Sequence, residues 1–371
     1  MKFLSEQNKE IFKGRTVLLR VDYNIDAGES SFRIDASLPS IKFLLEAGAK
    51  ILILTHKGRP KPILDAVAAR EGVVNFSLEK TSAILERKII KKVKFINFAD
   101  IKTITRIVKE ETSPVIMLEN LRFFDGEDSG SLQFGRALSQ MGEIFVNEAF
   151  PVSHRENASI CQIPQFITSF VGIQFEKEIK NLDRILKNPE KPFTLILGGA
   201  KASDKIPMIN HLIEKIDNCL LSGVPGNTFL KANGQDIKKS VYEEGMLVEA
   251  RELMKTGKIK VLEDFIWEND KIYDIGTKTV DSFIEIIKNS KTILWNGPLG
   301  YFEEEKFMEG SKKIAQAIIE SKAFSVLGGG ETTEMISKMK LLDKFSFVST
   351  GGGAMLEYLS GKRLLGIEVL K

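Results

Sequence analysis

The stretch KTILWNGPLG (291–300) decides the fold. Its apolar run, residues 292–295, is short and shows no alternation of polar and apolar side chains. A strand with one wet face alternates; a strand buried on both faces does not. The run ends on a glycine-rich segment, Asn296-Gly297-Pro298-Leu299-Gly300. Runs of the same kind recur at 17–21, 51–55, 115–118 and 144–146, then at 194–197, 219–221, 324–327 and 345–348. Amphipathic segments such as 34–47 and 335–342 lie between them. Buried strands separated by helices predict an α/β fold, a doubly wound parallel sheet of Rossmann-like kind, present twice.

The 371 residues suit two or three domains, and 43% hydrophobic residues let each half bury its own core. Phe175, Ile179, Leu182, Ile185 and Leu186 share one helical face, and Asn188-Pro189 stops that helix. Residues 173–187 are therefore expected to join a first domain, 1–172, to a second, 188–355. The alternative is a helix inside one large domain. Lys+Arg 53 against Asp+Glu 50 leaves +3, too even for a dedicated nucleic-acid binder. Cys161 and Cys219 make neither a disulfide framework nor a zinc site and suit a reducing cytoplasm. No run approaches the ~18 apolar residues of a membrane span, and MKFLSEQNKE at the start has no signal core. A cytoplasmic, full-length chain is expected.

Ligands of open α/β sheets bind outside the carboxyl ends of the strands. In the first half those ends are polar and basic. They carry Asp22 and Asn24, then His56, Lys57 and Arg59, then Arg122, then Glu148, His154 and Arg155, with Arg33 before the first helix. Arginine forks match carboxylate and phosphate oxygens, so this cationic basin predicts a small, multiply anionic substrate. In the second half the ends are glycine-rich. Gly198-Gly199-Ala200-Lys201, Gly328-Gly329-Gly330-Glu331-Thr332 and Ser349-Thr350-Gly351-Gly352-Gly353 are each expected to open a helix. Bare amides at helix starts suit phosphates, hence a nucleotide. Lys201 and Lys205, four apart, are expected on neighbouring turns of one helix start, neutralising a phosphoryl group in transfer. P-loop, dinucleotide, HExxH, C-x-x-C and G-x-S-x-G signatures are absent.

These residues resemble the phosphoglycerate kinase family across nearly the whole chain. The resemblance rests on RVDYN (20–24), THKGRP (55–60), LENLRF (118–123), GGAKASDK (198–205), WNGPLGYFE (295–303), GGGETT (328–333) and STGGGA (349–354), in that order. It implies two domains facing a cleft, a tail (356–371) returning to the first domain, and a monomer acting on small molecules. It implies transfer between the acyl phosphate of 1,3-bisphosphoglycerate and ADP, with Mg²⁺. Asp22, Asn24, Arg33, His56, Arg59, Arg122 and Arg155 would hold 3-phosphoglycerate. Ala200, Lys201, Lys205, Asn296 and Glu303 would contact ADP or ATP, with Gly329, Gly330 and Thr332 at the same site. Gly351, Gly352 and Gly353 would face the transferring group, and Glu331 would sit by the metal.

The chemistry agrees with that resemblance. A carboxylate nucleophile is already ionised at neutral pH, so no general base is needed. Catalysis then reduces to positioning and charge neutralisation, assigned to Arg33, Lys201, Lys205 and Gly351–Gly353. Half-sites on two domains imply a hinge closure that excludes water. The chain departs from the family pattern at Glu331 (usually aspartate), at Val224-Pro225 (usually glycine-rich), at Glu148, Pro151 and Val152, and over 61–112. Those departures motivate an alternative, a weak or inactive ligand-binding protein of the same fold. The retained Lys201, Lys205, Arg33 and Arg155 oppose it.

Overall fold

Val17, Leu18 and Leu19 show how the first sheet is covered. Val17 and Leu19 join one apolar cluster with Ile41, Ile51 and Ile53. Leu18 joins another with Leu52, Leu54 and Leu138. Successive strand side chains point to opposite faces, so both faces are dry and the run has no polar position. The computed structural model describes residues 1–25, 31–60, 62 and 75–371.

The chain divides into two compact units, Met1–Ile179 with Arg363–Lys371, and Lys180–Lys362. The first unit holds β1 (Thr16–Arg20), β2 (Lys50–Leu54), β3 (Val93–Ile96), β4 (Val115–Leu118), β5 (Ile144–Asn147) and β6 (Thr168–Val171). They form one sheet in the order β3-β4-β2-β1-β5-β6, every pair parallel. The second unit holds β7 (Phe193–Leu197), β8 (Asn218–Leu221), β9 (Ile259–Lys260), a hairpin of β10 (Phe265–Glu268) and β11 (Lys271–Ile275), then β12 (Thr292–Asn296), β13 (Phe324–Gly328) and β14 (Phe347–Val348). Its sheet runs β14-β13-β12-β7-β8-β9, again all parallel. Both units are thus the expected doubly wound α/β sheets.

The strand order reverses at β1/β5 in one sheet and at β7/β12 in the other. Chain ends diverge there, which opens a crevice for ligands.

The helix Ile173–Lys187 spans the boundary between the units. In the first unit its Phe175 ring meets Phe150 edge-on at 5.3 Å. The Glu148 carboxylate accepts hydrogen bonds from the amides of Gln174 and Phe175, both 3.0 Å, and from Ser40 Oγ at 2.5 Å. In the second unit Arg184 stacks over Phe324 at 3.8 Å, and Tyr358 Oη donates to Asp183 at 2.7 Å. The tail rejoins the first unit at Arg363 rather than at 356, because Gly353–Leu359 packs on Ile206–Leu212. Beyond it, Leu365–Glu368 packs on Ala158–Cys161, and Gly366 N donates to Ser153 O at 2.8 Å.

Elements absent from the sequence-based list lie at sheet edges. β3 and β6 are partly exposed, β9 has two residues, and β10 and β11 stand outside the main sheet. The run 345–348 pairs only over Phe347–Val348. Of the segment 335–342 only 335–338 is helical, as the end of a helix that begins earlier, Gly330–Lys338; a 3-10 turn follows at Leu342–Lys344. Of the weakly matching stretch 61–112, residues 62 and 75–112 are described; residues 61 and 63–74 lie outside the described residues.

Candidate active site

All seven basin residues of the first unit follow the ends of β1, β2, β4 and β5. Asp22 and Asn24 leave β1, and Arg33 sits in the first turn of the helix Phe32–Glu46. The Asp22 carboxylate pairs with the Arg33 guanidinium and accepts from Asn24 N at 3.0 Å. Burial would raise its pKa, but Arg33, the Asn24 amide and Arg20 hold it below its ordinary value. The Gly58 peptide ties three loops together. Its N–H donates to Asn24 Oδ1 at 2.7 Å, and its carbonyl accepts from Arg122. Arg122 is buried and also donates to Asp128 at 3.0 Å.

The cations of this basin act on one another. Burial, then Arg122 and Arg59, lower the pKa of Arg155. His56 is 2% exposed, and its pKa is pulled well below 6.5 by burial and by Arg20, Arg122 and Arg155. Like charges gathered in partial burial repel, and an anion arriving among them relieves that repulsion.

In the second unit two cavities, of about 330 and about 370 Å³, share Gly199, Ala200 and Glu331 and so make one groove. Its polar end is lined by Lys201, Asp204, Lys205, Asn296, Gly329, Gly330, Thr332, Gly352 and Gly353. Its apolar end is lined by Val224, Tyr273, Pro298, Tyr301 and Phe302, with Glu303 and Asn227. The groove sits where β7 and β12 end, at the switch in strand order. Gly198 and Gly199 donate to Asn296 O (3.0 Å) and Pro298 O (2.9 Å), drawing the two loops together. Gly297 has φ 95°, and a Cβ there would stand 2.3 Å from Gly198 O. Only glycine fits that crossing.

Lys205 is 8% exposed, and its ammonium donates to Asn296 Oδ1. Burial draws its pKa down to about 8, against the opposing pull of Asp204 and Glu331. The Asn296 Nδ2 atom is buried without a partner among the described residues and would lie 2.9 Å from a Cβ on Gly329. A buried donor left open beside a glycine loop suits an acceptor oxygen of a ligand. Thr332 Oγ is engaged, accepting from Gly297 N at 2.7 Å.

Several local expectations change. Of the two lysines only Lys205 reaches a helix start, as the residue that caps the helix Ile206–Leu212, which has Pro207 in its first turn; Lys201 lies in the loop before it. Glu243 holds that loop by accepting from the amides of Ala202 (2.9 Å) and Ser203 (3.0 Å). Those amides are thereby withheld from a helix. Gly352 and Gly353 line the polar cavity, whereas the Gly351 amide is committed to Ser349 Oγ at 3.0 Å. Pro225 falls in the first turn of the helix Gly223–Ala232, where a missing N–H leaves no intrahelical bond unmade. Three residues at these sites carried no assigned role in the sequence: Arg20, Asp204 and Tyr273. An arginine ending a buried strand was the available signal for Arg20. Tyr273 stands on β11, whose half-exposed pattern hid the strand.

Among the described residues no three His, Cys, Asp or Glu side chains gather as a metal cage. Mg²⁺ does not require one. It binds through one or two carboxylates plus substrate phosphates and waters. Glu331 and Asp204, both on the polar cavity, supply hard oxygen donors of that kind, so the residues present fit the ion.

The family model described as phosphoglycerate kinase matches residues 8–362. The chain is 38% identical to the phosphoglycerate kinase of Finegoldia magna, covering 100% of this chain and 98% of the relative. It is 38% identical to that of Dictyoglomus turgidum, covering 100% and 99%. The crystal structure of phosphoglycerate kinase from Pyrococcus horikoshii superposes with a TM-score of 0.87 at 31% identity, covering 100% and 98%. The structure of that from Coxiella burnetii gives 0.81 at 32%, covering 99% and 98%.

Proposed function

Because the chain belongs to the phosphoglycerate kinase family and carries out the reversible phosphoryl transfer between 1,3-bisphosphoglycerate and ADP, we propose how its residues divide that task. The basin of the first unit holds the triose acid. Arg59, Arg122 and Arg155 take its anionic oxygens, Asn24 and His56 add neutral polar contacts, and ionised Asp22 accepts a hydroxyl. Arg33, held against Asp22, points its remaining donors at the reacting carboxyl end.

The groove of the second unit takes the nucleotide. The base enters the apolar end beside Val224, Tyr273 and Pro298, and Glu303 accepts the ribose hydroxyls. The phosphates lie along Ala200, Lys201, Lys205, Asn296 and the Gly329–Gly330 helix start. Gly352 and Gly353 face the group in transfer. Glu331, together with the nucleotide phosphates, would hold Mg²⁺, which would supply further positive charge there.

The chain's own residues then do little covalent work. A carboxylate oxygen attacks without a base, and Lys201, Lys205 and Arg33 neutralise the equatorial oxygens. In-line transfer needs the reacting atoms within about 3–3.5 Å. The half-sites belong to different units, so we propose a closure about the helix Ile173–Lys187, driven by both ligands. The chain acts as a cytoplasmic monomer, a location that its two free, buried cysteines suit.

One observation carries this division: a nearly buried lysine, Lys205, faces the same cavity as two glycine-opened helices. A coupled assay with 3-phosphoglycerate, ATP and Mg²⁺ tests it. Turnover in the native protein, and its severe loss in Lys201→Ala with the fold intact, are expected. An unchanged kcat in that variant removes Lys201 from the transfer step.

A further inference from the structure

We infer that Arg20 is a positioning residue that fixes His56 as its Nε2–H tautomer, so that the basin offers its anionic ligand a neutral N–H donor. The inference rests on the reading of that basin as the acid-binding half-site.

Arg20 is the last residue of β1 and is 1% exposed. Its guanidinium is held from several sides. Nε donates to Ser159 Oγ at 2.7 Å, a second nitrogen donates to Val21 O, and Glu127 Oε1 lies 3.6 Å from the third. Glu127 is itself fixed by Ser159, which donates through Oγ at 2.6 Å and N at 3.0 Å. The plane of the fork is therefore set. The nitrogen facing Glu127 lies 3.3 Å from His56 Nδ1.

A guanidinium donates and never accepts. His56 Nδ1 must then present its lone pair. A neutral imidazole carries one proton, which leaves it on Nε2. An imidazolium would set N–H against N–H and add charge to a cationic basin. The charged groups facing the ring are Arg20, Arg122 and Arg155 against one carboxylate, Asp22, which is already paired with Arg33. Burial and those three cations keep the ring unprotonated. Among the described residues Nε2 approaches only Asp22 Oδ1, at 4.0 Å, too far for a hydrogen bond. Its proton is left for an incoming oxygen. With the other tautomer the ring would present a lone pair to an anion and repel it.

Two-bond ¹⁵N–¹H NMR of the imidazoles in the full chain tests this, with His56→Gln assigning the signal. The native protein should show an unprotonated Nδ1 and a protonated Nε2, with no titration between about pH 5.5 and 8. An Nδ1–H tautomer or an imidazolium at neutral pH overturns the inference. Arg20→Met combined with Glu127→Gln removes both buried charges together and so avoids an orphaned one. In that variant the tautomers should mix. KM for 3-phosphoglycerate should rise on the order of tenfold, the worth of one hydrogen bond. KM for ATP should stay within about twofold. A pure Nε2–H tautomer in the variant shows that Arg20 does not set it. Should the variant not fold, the native spectrum decides. Adding 3-phosphoglycerate to the native protein should shift Nε2. An unmoved Nε2 beside the expected tautomer counts against the acid-binding reading and not against the role of Arg20.

Discussion

Replacing Lys205 by methionine should weaken the enzyme and leave the fold as stable as before, or more so. The ammonium is 8% exposed, and burial lowers its pKa from 10.5 to about 8. At 1.36 kcal/mol per pKa unit, that drop represents about 3 kcal/mol against keeping the charge in place. Lys205→Met removes that penalty. It also strips Asn296 Oδ1 of its donor, which costs about 1–3 kcal/mol. Urea unfolding at pH 7 should therefore find the variant between equal to and about 2 kcal/mol above the native chain. Activity should move the other way. A positive charge about 4 Å from a transferring phosphoryl group, at an effective dielectric near 20, contributes about 4 kcal/mol. The coupled assay should thus show kcat down about 10²–10³-fold. The pH profile gives an independent check. The ammonium is lost as pH rises through about 8, so kcat/KM for ATP in the native enzyme should fall above that value. A bound phosphate favours the charged form, so the limb in kcat should lie at higher pH. A Lys205→Met enzyme within tenfold of native kcat, or one destabilised by more than about 3 kcal/mol, would refute the reasoning.

Glu148 is pushed up to about 7 by burial, so between about pH 4.5 and 7 the folded chain holds a proton that the unfolded chain has released. Its contribution to stability is complete below that window and falls as pH rises through it, and the difference between native and Glu148→Gln unfolding curves should shrink accordingly by up to about 3 kcal/mol. Gly297→Ala places a methyl 2.3 Å from Gly198 O at φ 95°, so denaturant unfolding should show a loss above about 2 kcal/mol. Glu331→Asp should keep or raise activity in the same coupled assay; complete loss would mean that the metal site is built around the longer side chain. Chelation should abolish turnover and added Mg²⁺ should restore it, read in the same assay.

The central strands were legible because they are buried on both faces. Stretches such as 17–19 and 293–295 have no polar position to blur the pattern, and the structure places Val17 and Leu18 in opposite clusters. The same rule hid β3, β6, β9 and the β10–β11 hairpin, whose partial exposure dilutes the signal. The glycine loops and basic strand ends were legible as chemistry, since residue type alone marks an amide cradle or an arginine fork. What they could not convey is commitment. Gly351 N is taken by Ser349, Thr332 Oγ by Gly297, and the amides before Ile206 by Glu243.

The order of apolar runs by itself determined a doubly wound sheet in each half, because burial on two faces requires a continuous run of apolar side chains. Tertiary structure alone decided that Lys205 gives up solvent to meet Asn296, that the Gly58 peptide joins three loops, and that Arg20 faces Nδ1 of His56. Those facts depend on distances between strand ends that are far apart along the chain. Local residue preference carries no information about such distances, and packing sets them.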